Sequence, residues 1–148
     1  MMHILVTGGA GFIGGNFIRW MRKHAPEHLL VNVDALTYAG NLESLNDIPE
    51  DERYHFVRAD IRDRAKMDEI FAQYGITHVV NFAAESHVDR SIVDPEIFLS
   101  TNIIGTQALL DTAKKHWKLA PDDKYSREFR AGVKFLQVST DEVYSALC

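Results

Sequence analysis

Apolar residues along the 148-residue chain follow two alternating patterns. Short apolar runs recur at Ile4-Leu5-Val6, at 29–33 (Leu-Leu-Val-Asn-Val), at 54–58, at 77–82 and at 133–139. Runs of this length, rich in β-branched residues, predict buried parallel strands. Helical stripes lie between them. Phe12, Ile13, Phe17, Ile18 and Met21 predict a helix over 12–24, with Asn16, Arg19, Lys23 and His24 on its polar face and Pro26 beyond its end. Met67, Ile70 and Phe71 predict a second helix over 63–74, capped by Asp63 and closed by Gly75. Asp94-Pro95-Glu96 opens a long third helix reaching His116: proline suits the first helical position and glutamate the positive end of the dipole. Residues 35–53 have no clear period apart from a helical turn at 42–45, and the mixed-charge stretch 117–132 reads as a loop.

Strands separated by helices imply right-handed crossovers and an α/β fold. The expectation is a doubly wound parallel sheet, Rossmann-like, in the order 3-2-1-4-5. Asp34, Asp60, Ala83 and Ser139 then fall at strand carboxyl ends, around the crevice where such sheets bind ligands. The length suits one domain, and 46% apolar with 25% charged residues is the composition of an ordinary globular protein. A net charge of −5 gives no reason to expect nucleic acid or an anionic membrane as partner. The single cysteine, Cys148, allows no intrachain disulfide, no apolar run approaches membrane-spanning length, and the N-terminus lacks a signal-peptide pattern. A cytoplasmic location is expected. The seven histidines are scattered without metal-ligand spacing, so no metal site is expected.

The chemistry starts in residues 3–14, His-Ile-Leu-Val-Thr-Gly-Gly-Ala-Gly-Phe-Ile-Gly. Gly8, Gly11 and Gly14 lie between a strand and a helix, and 9–14 also fits G-x-G-x-x-G. In that context the glycines let main-chain N–H groups approach a pyrophosphate, and the helix start offers unpaired donors and a partial positive charge. Asp34 ends the second strand twenty positions past Gly14, where an acid accepts hydrogen bonds from an adenosine ribose. A carboxylate there repels a 2′-phosphate, which favours NAD over NADP.

Three further strings carry a resemblance: 34–42 (Asp-Ala-Leu-Thr-Tyr-Ala-Gly-Asn-Leu), 81–91 (Asn-Phe-Ala-Ala-Glu-Ser-His-Val-Asp-Arg-Ser) and 139–144 (Ser-Thr-Asp-Glu-Val-Tyr). Together with the glycine motif they resemble the dTDP-glucose 4,6-dehydratases, extended short-chain dehydrogenase/reductases, over nearly the whole chain. The resemblance implies an NAD-assisted reaction: oxidation of a nucleotide-activated glucose at C4, water elimination across C5–C6, and hydride return to C6. It assigns Glu142 as the base at C5, Asp141 as the acid for the C6 hydroxyl, and Thr140 as a hydrogen-bonding group near the C4 oxygen. Neighbouring side chains on a plain strand face opposite ways, so Asp141 and Glu142 are expected on a turn past the strand end. Cofactor contacts carry over to Gly8, Gly11, Phe12, Ile13 and Gly14 at the pyrophosphate. Asp34, Ala35, Leu36 and Thr37 match the adenosine ribose, Asp60 and Ile61 the adenine, with Asp60 accepting its amino group. Phe82, Ala83, Ala84, Ser86 and Thr101 match the nicotinamide side. Ser86 and His87 also match sugar contacts, with a structural loop role for His87 as the alternative.

The chain also departs from that pattern. Ala35 and Ser145 stand where family members usually have lysine and glycine. The catalytic Tyr-x-x-x-Lys is missing: four positions after Tyr38, Tyr54, Tyr74, Tyr125 and Tyr144 stand Leu42, Arg58, His78, Phe129 and Cys148. The expectation is therefore an NAD-binding domain over 1–148, incomplete at its C-terminus, with the substrate domain absent and negligible turnover alone. A homodimer is expected through the long helix 95–116, with Ile97, Phe98, Ile104, Ala108 and Leu109 to bury. The alternatives are a non-catalytic NAD-binding module and another epimerase or dehydratase acting on nucleotide sugars.

Overall fold

The computed structural model describes residues 1–37, 40–86 and 88–140. Its centre is β1 (His3–Thr7), flanked by β2 (Leu29–Asp34) and β4 (His78–Asn81), with β3 (Tyr54–Arg58) and β5 (Lys134–Gln137) at the edges. All four pairings are parallel and the order is β3-β2-β1-β4-β5, as the alternation of strands and helices predicts. The connections run through α1 (Phe12–His24), a 3-10 turn (Leu42–Leu45), α2 (Arg64–Tyr74), α3 (Val88–Val93), α4 (Pro95–Phe98) and α5 (Thr106–Trp117).

Alternation along the central strands divides the core into two layers. Leu5, Val31, Val33 and Val79 face Met67, Ile70 and Phe71 of α2 and Leu109, Ala113 and Trp117 of α5. Ile4, Val6, Leu30 and Val80 face the other way, against Ile18 and Met21 of α1 and Leu45 of the 3-10 turn. Strands covered on both faces must be apolar at successive positions, which is why these runs do not alternate in sequence. Local signals close the helices: the Asp63 carboxylate accepts the Lys66 N–H at 3.0 Å, and Gly75 takes the left-handed conformation at φ +59°. Outside this layer, Asp68 pairs with Lys115 and His116, and Arg64 with Asp111, fastening α2 to α5.

The long third helix departs from expectation in three ways. A short helix, α3, precedes it, an element with no periodic apolar pattern to announce it. Its first half opens as predicted, with Asp94 accepting the Ile97 N–H and Pro95 at the first position. Residues Leu99–Gly105 then widen into a π-helical segment before α5 resumes α-helical geometry and ends at Trp117, one residue past the expected end. π segments are uncommon and often mark functional sites. The burial also differs. Ala108 and Leu109, expected at a dimer surface, are fully buried under α2, whereas Leu99, Ile103, Ile104 and Leu110 are the exposed apolar residues. The last strand is shorter than predicted, and Leu136 on it is 57% exposed because nothing in the described chain covers that face of the edge strand.

Leu109 locks α5 onto the sheet, so its truncation tests the layer. Leu109→Ala should cost about 2–5 kcal/mol of unfolding free energy, read as a lower urea midpoint at an unchanged slope.

Candidate functional site

β1 runs straight into the glycine turn, and two glycines there have steric reasons to be glycine. Gly8 sits at φ +71° and donates its N–H to the Val33 carbonyl at 2.9 Å; a Cβ on it would stand 2.8 Å from the Ala83 nitrogen. A Cβ on Gly14 would stand 2.3 Å from the Gly8 carbonyl oxygen. The turn is thus pressed between β2, the β4 exit and the first turn of α1. α1 starts at Gly11 with no side-chain cap and no acid in its first turn. The first N–H groups of any helix lack intrahelical acceptors, so those of Phe12, Ile13 and Gly14 stand ready for an external one. Phe12 and Ile13 are 87% and 63% exposed, large apolar side chains left open beside these donors.

Asp34 closes the side of this turn. It is buried to 9% exposure at the end of β2. Its Oδ2 accepts the Ala10 N–H at 2.9 Å and its Oδ1 the Leu36 N–H at 2.8 Å. A carboxylate offers about four lone-pair sites, so two remain for a further donor. The loop after it folds back over the glycine turn, with the Asn41 N–H on the Ala10 carbonyl at 3.3 Å. That path forces Leu36 to φ +54°, a left-handed conformation rare for a bulky residue and characteristic of functional loops. Ala35 is half-buried and Thr37 exposed on this same loop.

On the other side of β1 a buried polar relay joins three strand ends. The Thr7 hydroxyl donates to Asn81 Oδ1 and accepts the Ala83 N–H at 3.3 Å. Asn81 Nδ2 donates to Gln137 Oε1 at 2.7 Å and to Thr106 Oγ1 at 3.5 Å. The relay fixes the level at which the chain leaves β4 for Phe82, Ala83 and Ala84. Phe82 packs against Phe17 of α1, ring centroids 5.4 Å apart and planes tilted by 51°, and Ala84 and Ser86 are exposed at the rim. Past them the Glu85 N–H bonds Asn102 Oδ1 and the Asn102 amide returns to the Glu85 carbonyl, tying this loop to the π segment that carries Thr101.

At the β3 exit the Asp60 carboxylate, assigned above to adenine, is held by Arg62. Its Oδ1 accepts the Arg62 main-chain N–H at 2.8 Å and its Oδ2 accepts Nη2 at 2.6 Å. The Arg62 guanidinium keeps the Asp60 carboxyl below the usual carboxylate range, so it is anionic near neutrality. Ile61 is buried against Gly105. Asp34 and Asp60 are neighbours: the Ala59 N–H bonds the Asp34 carbonyl at 3.1 Å.

The residues expected around the crevice thus gather at the carboxyl ends of the strands: the glycine turn, Asp34, Ala35, Leu36, Thr37, Asp60, Ile61, Phe82, Ala83, Ala84, Ser86 and, from the π segment, Thr101. Thr140 follows β5 and is exposed. Asp141, Glu142 and His87 lie outside the described residues. Among the described residues no group of His, Cys, Asp and Glu is arranged to hold a metal ion, and no helix is long and apolar enough to cross a membrane. Sequence reading missed the Thr7–Asn81 relay, Arg62 and the Glu85–Asn102 tie. Asn81 carried a usable sign, an amide inside the apolar run 77–82; the Glu85–Asn102 tie and the bond from Arg62 to Ser100 depend on residues distant in sequence.

Comparison with known proteins accords with this geometry. The profile of the GDP-mannose 4,6 dehydratase family matches residues 5–147. A dTDP-glucose 4,6-dehydratase of Salmonella typhimurium is 51% identical over 146 residues, spanning 99% of this chain and 39% of the relative. The chain therefore spans about two fifths of the length of the curated relatives it matches. The crystal structure of dTDP-glucose 4,6-dehydratase from Bacillus anthracis in complex with NAD superposes with a TM-score of 0.80 at 38% identity, covering all of this chain and 40% of that one. A UDP-glucose 4-epimerase from Thermotoga maritima with UDP-glucose follows at a TM-score of 0.69 and 34% identity, covering 78% of this chain and 35% of that one. With nearly every residue inside the family profile, the chain belongs to the GDP-mannose 4,6 dehydratase family.

Proposed function

We propose that these residues are the NAD-binding part of a dTDP-glucose 4,6-dehydratase, an NAD-dependent lyase of deoxysugar biosynthesis acting in the cytoplasm. One observation carries the cofactor assignment: an uncapped helix start, free of acids, opens beside the Asp34 carboxylate at the point where the strand order reverses. The substrate assignment is supported by the names of the relatives, which match the chain almost end to end. The substrate-gripping domain is assigned outside residues 1–148.

In this reading the main-chain N–H groups of Phe12 and Ile13 meet the pyrophosphate, with Gly8, Gly11 and Gly14 allowing the approach. Asp34 holds the ribose with its remaining lone pairs, helped by Ala35, Leu36 and Thr37. Asp60 and Ile61 receive the adenine; Phe82, Ala83, Ala84, Ser86 and Thr101 form the nicotinamide side. NAD supplies a temporary acceptor for hydride from C4, returned to C6 after water is lost across C5–C6. Glu142 takes the C5 proton, Asp141 protonates the departing C6 hydroxyl, and Thr140 hydrogen-bonds near the C4 oxygen. Ser86 and His87 touch the sugar.

Exposed Leu99, Ile103, Ile104 and Leu110 follow one another along the π segment and α5. We assign this stripe to a homodimer in which two copies pack helix against helix.

Three outcomes test these assignments. Calorimetric titration should show NAD binding, with NADP weaker by about ten-fold or more, and Asp34→Asn should weaken NAD by about ten- to a hundred-fold while narrowing the NADP gap. No NAD binding by the folded chain would remove the cofactor reading. A steady-state assay with dTDP-glucose and NAD should give no measurable turnover, because no tyrosine here has a lysine on its helical face to lower its pKa. Turnover at about 1 s⁻¹ or faster would mean that another group deprotonates the C4 hydroxyl. Light scattering should give twice the monomer mass, and Ile103→Asp should return it to the monomer mass; a monomeric parent at high concentration would defeat the dimer assignment.

A further inference from the structure

The loop between β3 and α2 is pinned at three consecutive residues, two of them joined through one carboxylate. Asp60 receives Arg62 in a two-pronged arrangement: Nη2 at 2.6 Å from Oδ2, and Nε shared between Oδ1 at 3.0 Å and Oδ2 at 3.1 Å. The Arg62 main-chain N–H adds a bond to Oδ1 at 2.8 Å. The third prong, Nη1, donates to Ser100 Oγ on the π segment at 3.0 Å. Between them Ile61 fills the space at Gly105, where a Cβ would come within 2.6 Å of Ile61 Cδ1. The Asp63 N–H closes the turn on the Asp60 carbonyl at 3.0 Å.

Counting lone pairs gives this arrangement a direction. A carboxylate has about four acceptor sites. Oδ1 is filled by the Arg62 main chain and Nε. Oδ2 takes Nη2 and a share of Nε, which leaves one site on its outer side. The Asp60 side chain is 34% exposed, so a donor from outside the protein can reach that site. Arg62 is itself held in place by more than Asp60, because its Nη1 is anchored on Ser100 Oγ of the π segment.

We propose that Arg62 is a positioning residue for base selection: it locks the Asp60 carboxylate in one plane, with a single Oδ2 lone pair directed at the 6-amino group of a purine. This inference rests on the dinucleotide reading above and deepens it. A fixed acceptor rejects a 6-oxo purine, because two acceptors then face each other with no proton between them. A freely rotating carboxylate turns away and rejects it less. A lysine, a point charge without the planar fork, does not fix the plane.

The test titrates the purified chain with NAD and with its 6-oxo analogue, nicotinamide hypoxanthine dinucleotide. The parent should bind NAD about ten-fold or more tighter than the analogue. Arg62→Ala should bring the two within about two-fold, chiefly by weakening NAD. Arg62→Lys, the second variant should the alanine chain fail to fold by circular dichroism, should lose the discrimination in the same way. Ser100→Ala keeps the fork on Asp60 and should keep the parent ratio. An unchanged ratio in Arg62→Ala, or a ratio restored by lysine, overturns the proposal while leaving NAD binding intact. A parent that binds NAD but treats both bases alike also overturns it. A folded parent that binds neither dinucleotide overturns the cofactor reading, and this inference with it.

Discussion

The Asp34 carboxylate is shared between two loops, and the crevice takes its shape from that sharing. One oxygen holds the Ala10 N–H of the glycine turn and the other the Leu36 N–H of its own loop. Each bond gives a main-chain donor of the crevice wall a charged acceptor, a kind of bond worth about 1.5–3 kcal/mol. The bond to Ala10 fixes the distance between β2 and the start of α1, and the bond to Leu36 bends the following chain back over the turn. The positive φ of Leu36 is a consequence of that bend. A residue that looks like a ligand-binding acid is therefore also a structural one, and substitutions there act on both properties.

The same economy of contacts recurs on the other side of β1. Thr7 and Asn81 are buried polar residues in strands otherwise filled with Leu, Val and Ile. Their hydrogen bonds reach Gln137, Thr106 and the Ala83 main chain, so three strand ends are held level. A polar network whose buried members have partners specifies one register and disfavours slippage. The rim of the crevice is set by such ties, whereas the layers beneath it are set by apolar packing against α1 on one face and α2 with α5 on the other.

The π segment brings these parts together. Ser100 meets Arg62, Asn102 meets the Glu85 main chain, and Gly105 admits Ile61. A helix of regular pitch repeats its faces every 3.6 residues. Widening by one residue per turn over Leu99–Gly105 shifts which side chains point at the crevice and which at solvent. This accounts for the difference in the long helix, where Ala108 and Leu109 go to the core and Leu99, Ile103, Ile104 and Leu110 remain outside.

Much of the architecture was already legible in the sequence, because its signals are local. Buried parallel strands need apolar runs, α1 needs its 3.6-residue stripe, α2 needs Asp63 before it and Gly75 after it, and the spacing from the glycine turn to Asp34 follows from one strand–helix–strand unit. The sheet order followed from the handedness of crossovers. Tertiary structure alone decided what depends on residues far apart in the chain, Arg62 reaching Ser100 and the Thr7–Asn81 relay, and it also settled the left-handed Leu36 and the π widening. Propensity and periodicity describe a residue among its sequence neighbours. A hydrogen bond across 38 or 74 positions is chosen only when the packed sheet has already set the two ends side by side.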